Sequence, residues 1–178
     1  REIARVAPDG MDCTYFLTTG AEANDAALKL AVKLTGRGRI AAFRRAYHGD
    51  TLGALACFGD ARFREPFAAL LKPVDFLSFG TDEALERVTT DHAAVLVEPV
   101  QGEAGIRVPP DGWLAALRER CTRTGTLLIF DEVQTGFGRT GDWFAAGLYG
   151  VRPDVMTMAK GMGAGMPLAG VLAPRDML

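Results

Sequence analysis

Short apolar runs alternate with helical patterns along this chain, and this alternation constrains the fold more than any other feature of the sequence. Several runs are apolar at consecutive positions, as expected for strands that helices cover on both faces. The sequence therefore predicts an α/β fold with a mainly parallel sheet, and its 178 residues suffice for one domain with a sizeable core. The candidate strands are Thr14–Leu17, Ile40–Phe43, Ala93–Val97, Thr126–Phe130, Val155–Met158 and Leu168–Leu172.

Three helices follow from the spacing of apolar residues and from the residues that can begin or end a helix. The clearest one begins after Gly20 and ends at Gly36, because apolar residues recur every three or four positions between them. A second is predicted from about Gly112 to Arg123, and a third, shorter one follows Thr81, which can cap it. No internal repeat or low-complexity linker interrupts the pattern, so we expect a single unit.

Composition argues against several classes of partner. A formal net charge of −2 gives no electrostatic reason to bind nucleic acid or an acidic membrane surface. No apolar run reaches the ~20 residues of a membrane span, and no basic start followed by an apolar stretch indicates an export signal. The cysteines Cys13, Cys57 and Cys121 have no metal-ligand spacing, and they are typical of reduced thiols in a cytoplasm.

Lys160 is the first candidate for chemistry. It follows the apolar segment Val155–Ala159 and precedes the glycine-rich segment Gly161–Gly165. A lysine directly after a buried strand should be shielded from water, which favours the neutral amine that a Schiff base with an aldehyde requires. The glycines would let the backbone pass close to a bulky ligand. Taken alone, a lysine in this place is more often a surface residue, so the prediction depends on its neighbours.

Asp131 changes that balance. It ends the apolar run Thr126–Phe130, so its carboxylate should lie at the carboxyl end of a buried strand, where open α/β sheets bind ligands. About one βαβ unit separates it from Lys160, so both residues should reach the same edge of the sheet. A carboxylate there could keep a pyridine nitrogen protonated. Glu132 could be structural, and no His or Cys cluster supports a metal site beside these acids.

The segment Thr18–Asn24 lies between the first predicted strand and the first predicted helix. A strand–Gly–helix turn leaves unpaired N–H groups that point outward, and the helix dipole favours an anion beside them. Together with a reactive lysine and a ring-nitrogen partner, this turn is best interpreted as a phosphate site. The segment lacks the Gly-x-Gly-x-x-Gly and Gly-Lys-Ser/Thr patterns, so nucleotide binding is the weakest alternative.

Five sequence blocks stand in a characteristic order along nearly the whole chain. They are TGAEAN at Thr19–Asn24, YHG at Tyr47–Gly49, EPVQGE at Glu98–Glu103, DEVQTGFGRTG at Asp131–Gly141, and the segment around Lys160. In this order the blocks resemble the class III aminotransferases, the ornithine, acetylornithine, 4-aminobutyrate, diamine and diaminopelargonate type. The resemblance implies the large domain of fold type I enzymes, with pyridoxal 5'-phosphate as the cofactor.

The resemblance also implies a role for each matching position. The backbone of Gly20 and Ala21 would bind the cofactor phosphate, and Tyr47 and Val133 would lie on the two faces of the ring. Gln134 would reach the phenolic oxygen of the ring, and Asp131 would pair with the ring nitrogen. His48 would be a further site residue, and Lys160 would form the aldimine, a Schiff base. As the catalytic residue, Lys160 would then act as the general base that moves the substrate proton.

On the substrate side the resemblance is less uniform. Glu98 and Glu103 fall on the loop that borders the substrate in this family, where Glu103 resembles the residue that holds a gating arginine, although each could equally be structural. Asp50 stands where members acting on acetylornithine often carry an arginine for a substrate carboxylate. An acid would repel that carboxylate. His92 is expected to be a surface histidine.

Members of this family are much longer than this chain, which opens without Met. We therefore expect residues 1–178 to be one partial large domain, without the N-terminal segment and the C-terminal small domain, and inactive alone. The family works as a homodimer with its site at the interface, so we expect the full-length protein to be a cytoplasmic homodimer without metal, nucleic acid or membrane.

The resemblance implies transfer of a terminal primary amine from an omega-amino acid or a diamine to a 2-oxo acid. Local hints about the donor conflict: YHGDT at Tyr47–Thr51 is similar to diaminopelargonate members, Phe63–Phe67 to diamine and acetylornithine members, and Pro167–Gly170 to 4-aminobutyrate enzymes. Two alternatives stay open. One is a class III decarboxylase or aminomutase on the same cofactor. The other is a non-catalytic scaffold or inactive fragment, which the presence of Lys160 and Asp131 disfavours because burying such groups without a ligand is costly.

Overall fold

A computed structural model describes residues 2–178 of the chain. Seven strands form one sheet in the order β1-β7-β6-β5-β4-β2-β3. Strands β3, β2, β4, β5 and β6 are parallel to one another, whereas β7 is antiparallel to both of its neighbours. The strands are β1 Cys13–Leu17, β2 Arg39–Phe43, β3 Asp75–Leu77, β4 His92–Val97, β5 Leu127–Asp131, β6 Val155–Met158 and β7 Ala169–Ala173.

Helices connect the strands, and the longest, α2, follows β1. Its first turn is closed by a capping box between Thr19 and Glu22, and Gly36 ends the helix with a φ of 68°, which a residue without a Cβ adopts at little cost. The helices are α1 Glu2–Val6, α2 Gly20–Thr35, α3 Leu52–Ala56, α4 Ala61–Arg64, α5 Asp82–Glu86, α6 Trp113–Thr124 and α7 Ala145–Leu148, with 3₁₀ helices at Glu65–Leu70 and Lys160–Gly163.

Two apolar layers hold the sheet, one on each face. Residues from α2 pack on one face with Leu96 and Ile129 of the sheet, and residues from α5, α6 and α7 pack on the other with Val97 and Phe130. Successive residues of a strand point to opposite faces of the sheet, and helices cover both faces of β4 and β5. Consecutive residues of these strands are therefore buried, which explains why their sequences are apolar without alternation. Burial of this apolar surface is the main favourable term in folding.

The predicted α/β fold with a mainly parallel sheet is confirmed. The six predicted strands and the three predicted helices are present, with strand ends that differ by no more than one residue. The prediction missed β3, because Asp75–Leu77 is a short edge strand without a sustained apolar run. It also did not foresee that β7 runs antiparallel, since a strand's own sequence does not encode its direction relative to a neighbour.

The expectation that His92 is a surface histidine is wrong. His92 is the first residue of β4 and is only 2% exposed. Its Nδ1 accepts the Thr89 N–H at 3.1 Å, and its Nε2 lies 3.0 Å from a carboxylate oxygen of Asp75. The parallel pairing of β4 between β2 and β5 covers this position, which no local pattern could indicate. His92 lies at the amino ends of the strands, so it contributes to packing there.

All three cysteines are free, with Cys57 and Cys121 buried and Cys13 partly buried. Burial raises the pKa of the Cys57 thiol and of the Cys121 thiol to about 12, which keeps both protonated at neutral pH. Within residues 2–178, no helix has both the length and the apolar character that crossing a membrane requires.

Removing a ring from the core should destabilise the protein strongly. Phe43 is fully buried, and its ring lies edge-on to Phe79 and Trp113 at centroid distances of 5.8 and 5.4 Å. We predict that Phe43→Ala lowers the free energy of unfolding of the full-length protein by about 3–5 kcal/mol. Phe67→Ala is the matched control, because Phe67 is 47% exposed and its loss should cost no more than about 1 kcal/mol. Equal losses in denaturant titrations would contradict the assignment of the core.

Candidate active site

Parallel strands bring the segments that follow them to one edge of the sheet. Glu98 directly follows β4, Asp131 ends β5, and Lys160 lies two residues after β6, while Tyr47 and His48 follow β2. These residues surround a cavity of about 490 Å³ at the carboxyl ends of the strands. The cavity is lined by Thr19, Gly20, Ala21, Tyr47, His48, Gly49, Asp50, Thr51, Glu98, Asp131, Val133, Gln134 and Lys160.

The Asp131 carboxylate is only 3% exposed and is held by several donors. Its Oδ2 accepts a hydrogen bond from the Asn24 amide at 2.8 Å and lies 2.7 Å from His48 Nδ1. Its Oδ1 accepts the Val133 N–H at 3.0 Å, while the Thr157 hydroxyl is farther away at 3.5 Å. A buried carboxylate is costly unless such donors compensate for lost water, so this network keeps Asp131 in one place.

His48 is buried against Asp131, and the two side chains decide which tautomer is present. An ionised carboxylate only accepts hydrogen bonds, so we assign the proton of the His48 ring to Nδ1, 2.7 Å from Asp131 Oδ2. The other ring nitrogen, Nε2, is buried and has no hydrogen-bond partner among the described residues. A buried polar nitrogen without a protein partner requires a specific explanation, and its place beside Asp131 makes a ligand bound in this cavity one such explanation.

The first turn of α2 forms the floor of the cavity. Glu22 and Thr19 satisfy each other's backbone N–H groups. The N–H groups of Gly20 and Ala21 donate to no other residue within the described part of the chain. These two donors lie at the positive end of a 16-residue helix, which is the arrangement that binds a phosphate.

Glycine is required at two places around this floor. A Cβ on Gly20 would lie 2.8 Å from a methyl group of Val133, and a Cβ on Gly49 would lie 2.4 Å from the Cβ of Ala21. Gly49 also has a φ of 117°, a conformation that other residues rarely adopt. The helix floor, the Tyr47–Gly49 loop and the segment after β5 are therefore in close contact, and larger residues would separate them.

The expected burial of Lys160 is wrong. The backbone turns into a 3₁₀ helix directly after Ala159, so Lys160 is an exposed residue at the open side of the cavity. Its φ of 41° is a strained conformation for a residue with a side chain, and such strain is found most often at functional sites. The Lys160 Nζ donates a hydrogen bond to Gln134 Oε1 at 2.6 Å, which holds the amine against the cavity wall.

The buried side chain of Glu98 connects two loops of the site by hydrogen bonds. Its Oε1 accepts the Tyr47 N–H and its Oε2 accepts the Gly102 N–H, both at 2.9 Å. Burial raises the pKa of the Glu98 carboxyl above its ordinary value, and the nearby Asp131 charge acts in the same direction. These backbone contacts give Glu98 a structural function at the edge of the cavity.

A second cavity, of about 1040 Å³, adjoins the first, because Tyr47 and Asp50 line both. Glu103 lines this second cavity and not the first, so among the other predicted site residues it shares a cavity only with Tyr47 and Asp50. The Tyr47 hydroxyl donates to Asp50 at 2.9 Å. Burial, this hydrogen bond, and the charges of Asp50 and Glu103 together raise the pKa of Tyr47 to about 12.

Glu132, next to Asp131, is structural. It is completely buried, and its carboxylate accepts the Thr135 hydroxyl and the N–H groups of Ala145 and Ala146 in the first turn of α7. Burial raises the pKa of Glu132, although these hydrogen bonds oppose the shift. Over residues 2–178, no group of three or more His, Cys, Asp or Glu side chains could hold a metal ion.

Sequence reasoning missed two residues of the polar network. Asn24 is fully buried on α2 and contacts Asp131, and Thr157 of β6 donates to the Asn24 amide oxygen at 2.7 Å. A local signal was present only for Thr157, which is a lone polar residue in the apolar run Val155–Ala159, whereas Asn24 stands directly before Asp25 in a polar first part of the helix. The hydrogen bond between Asn24 and Thr157 could not be inferred, because the two residues lie 133 positions apart in the chain.

Comparisons with known proteins agree on one family. A family model described as aminotransferase class-III matches residues 1–178. The chain is 52% identical over 160 residues to an acetylornithine aminotransferase of Streptomyces clavuligerus, covering 89% of this chain and 40% of that protein. It is 46% identical over 170 residues to a [LysW]-aminoadipate semialdehyde/glutamate semialdehyde transaminase of Sulfolobus acidocaldarius, covering 96% and 44%.

A solved structure supports the same grouping. The crystal structure of a thermostable (S)-enantioselective omega-transaminase from Thermomicrobium roseum superimposes with a TM-score of 0.89 at 35% identity, covering 99% of this chain and 46% of that one. The chain thus spans less than half the length of these relatives.

The Tyr47–Asp50 contact predicts an unusual titration. In the full-length protein, the tyrosinate absorbance that Tyr47→Phe removes should develop around pH 12 instead of near pH 10, because burial and Asp50 both disfavour the phenolate. The measurement is the alkaline absorbance difference between the two proteins. Asp50→Asn should shift this difference titration back toward pH 10. A difference curve already centred at pH 10 in the unsubstituted protein would contradict the contact.

Proposed function

Because the chain belongs to the class III aminotransferases, we propose that the whole protein is a pyridoxal-phosphate-dependent transaminase. It would move a terminal primary amine of an omega-amino acid or a diamine to a 2-oxo acid. The observation that carries this proposal is the convergence on one cavity of an amine, Lys160, a buried carboxylate, Asp131, and the open N-terminus of α2. The relatives named above are aminotransferases and transaminases, which favours transamination over decarboxylation or amine migration.

The residues of the cavity fit pyridoxal 5'-phosphate. Gly20 and Ala21 offer two unused N–H groups for the phosphate. Asp131 Oδ1 has one short hydrogen bond, from Val133, and so has accepting capacity left for a protonated ring nitrogen. The Lys160 amine lies in the same cavity and is held by Gln134. Tyr47 and Val133 supply the aromatic and aliphatic walls between which a flat ring can lie.

The cofactor, when bound, supplies an electron-accepting ring that stabilises the charge left on a substrate carbon. The protein's own residues bind, orient and move protons around it. Asp131, fixed by Asn24 and His48, is placed to hold a proton at the ring nitrogen. Lys160 can accept a proton at Nζ from the substrate carbon and return it to a neighbouring atom, acting as general base and then general acid. Gln134 orients that Nζ.

The second cavity is the place where we propose that the rest of the donor binds. Tyr47 and Asp50 connect it to the cofactor cavity, and its wall includes the carboxylate of Glu103 as well as Arg44 and Arg45. Asp50 is exposed and uses one oxygen for the Tyr47 hydroxyl. A donor whose far end is a carboxylate would meet the Asp50 charge at this entrance, whereas an ammonium group would be attracted.

We propose that the full-length protein is a homodimer, in which residues 1–178 form part of the large domain. The chain spans less than half of its relatives, which supports its being part of a larger domain. The aromatic residues Tyr15 and Phe16 are more than half exposed, which supports an apolar surface that another part of the protein or a second subunit covers. We also propose a cytoplasmic location, which the three free thiols support. Light scattering of the full-length protein tests the dimer, and a mass of one subunit would refute it.

Lys160 is the residue on which the proposal depends. Reduction of the full-length protein with borohydride in the presence of pyridoxal 5'-phosphate should attach the cofactor covalently to the peptide that contains Lys160. Lys160→Ala should abolish this attachment and lower kcat by at least about 100-fold. Lys33→Ala is the matched control, because Lys33 is exposed on α2 and should leave both unchanged. Attachment at another residue, or an active Lys160→Ala protein, would refute the proposed function.

Asp50 should discriminate between donors that differ only at the far end. We predict that Asp50→Asn improves kcat/KM for 5-aminopentanoate relative to 1,5-diaminopentane by about 3–10-fold, a modest factor because Asp50 is exposed and its charge is screened. Asp60→Asn is the control, since Asp60 lines the same cavity but its carboxylate is paired with Arg62. An unchanged ratio in Asp50→Asn would show that Asp50 does not select the donor.

A further inference from the structure

Asn24 makes more interactions than a helix residue needs for packing. It lies in the second turn of α2 and is completely buried. Its Nδ2 donates to the His48 carbonyl at 2.7 Å and to Asp131 Oδ2 at 2.8 Å, and its Oδ1 accepts the Thr157 hydroxyl at 2.7 Å. One side chain therefore connects four parts of the site: α2, whose first turn forms the floor of the cavity, the loop after β2, the end of β5 and strand β6.

The orientation of this amide follows from its partners. The His48 carbonyl and the Asp131 carboxylate only accept hydrogen bonds, so the NH₂ group must point toward them. The oxygen must then face Thr157, whose hydroxyl has a single proton to donate. The other buried positions of α2 are apolar, so an amide here is an exception within an apolar surface; they are Ala23, Ala27, Leu28 and Ala31.

The amide also decides which oxygen of Asp131 stays available. Oδ2 is used by Asn24 and by His48. Thr157 directs its proton to Asn24 at 2.7 Å, so it cannot also make a good hydrogen bond to Asp131 Oδ1 at 3.5 Å. Oδ1 therefore has only the Val133 N–H as a close partner and keeps its remaining accepting capacity.

We propose that Asn24 is a positioning residue for the cofactor's ring nitrogen, acting through Asp131; this rests on the proposed function. Asn24 and Thr157 hold the carboxylate so that Oδ1 meets the nitrogen, and they connect that contact to the helix that binds the phosphate. The fixed separation between these two anchors prepares the site for a pyridine ring with a phosphate arm.

The test compares two ligands that differ only in the ring nitrogen. The apo form of the full-length protein is titrated with pyridoxal 5'-phosphate and with 1-deazapyridoxal 5'-phosphate, in which a C–H replaces that nitrogen, and the dissociation constants are measured by fluorescence. We expect Asn24→Ala to weaken binding of pyridoxal 5'-phosphate about tenfold, as for the loss of a hydrogen bond to a charged group, and to change binding of the deaza compound less than about twofold. A merely structural loss would weaken both ligands equally.

Two further variants make the result decisive. Thr157→Val removes the donor that orients the Asn24 amide while keeping the shape of the side chain, so it should give a smaller selective loss in the same direction. Lys33→Ala, on the exposed face of the same helix, should leave both dissociation constants unchanged. Equal weakening of both ligands by Asn24→Ala overturns the inference. If that variant does not fold, the absence of a selective loss in Thr157→Val overturns it.

The failure of this inference can be told apart from the failure of the proposed function. If the unsubstituted apo protein does not bind pyridoxal 5'-phosphate, the proposed function fails. If it binds the cofactor normally and the variants show no preference for the ring nitrogen, only the role of Asn24 is refuted.

Discussion

A buried carboxylate at the end of a parallel strand is the constraint on which the rest of this structure depends. Asp131 lies at the edge of a sheet that is dry on both faces, where an isolated charge would be strongly unfavourable. Its neighbours compensate for the lost water with N–H groups from Asn24, His48 and Val133. Two distant segments, the start of α2 and the loop after β2, must therefore reach this one carboxylate, and the packing around the site follows from that need.

Small residues make this convergence possible. Alanines at positions 23, 27 and 31 leave α2 close to the sheet, so Asn24 can reach the ends of β5 and β6. Gly20 lies against Val133 and Gly49 lies against Ala21, and a Cβ at either glycine would separate the loops. The same close approach leaves the first N–H groups of α2 at the floor of the cavity. One face of α2 therefore packs in the core, and the N–H groups of its first turn line the cavity.

The two cavities differ in their electrostatic character. In the first cavity the Asp131 carboxylate is buried and held by hydrogen-bond donors, and Lys160 lies at the open side. The second cavity is lined by charged residues of both signs, among them Arg44, Asp50 and Glu103. The charges of Asp50 and Glu103 contribute to raising the pKa of the Tyr47 hydroxyl, which lies between the cavities. This division suits a reaction in which the chemistry is common to a family and the choice of amine is made elsewhere. In the proposed function, substrate choice would depend on residues of the second cavity, which can change without disturbing the network around Asp131.

The sequence by itself determined every strand except β3, the helices α2, α5 and α6, and the order in which the candidate residues follow these elements. Apolar runs that are covered on both faces are visible locally, and Asp131 and Lys160 could be placed at the ends of parallel strands from that pattern alone. Only the tertiary structure decided the exposure of Lys160, the burial of His92, the antiparallel direction of β7, and the contacts of Asn24 with Asp131 and Thr157. For Lys160 the physical reason is the local turn of the backbone into a 3₁₀ helix after Ala159. For the other features it is distance along the chain, because burial, strand direction and hydrogen-bond partners depend on segments up to 133 positions away, which a local pattern cannot encode.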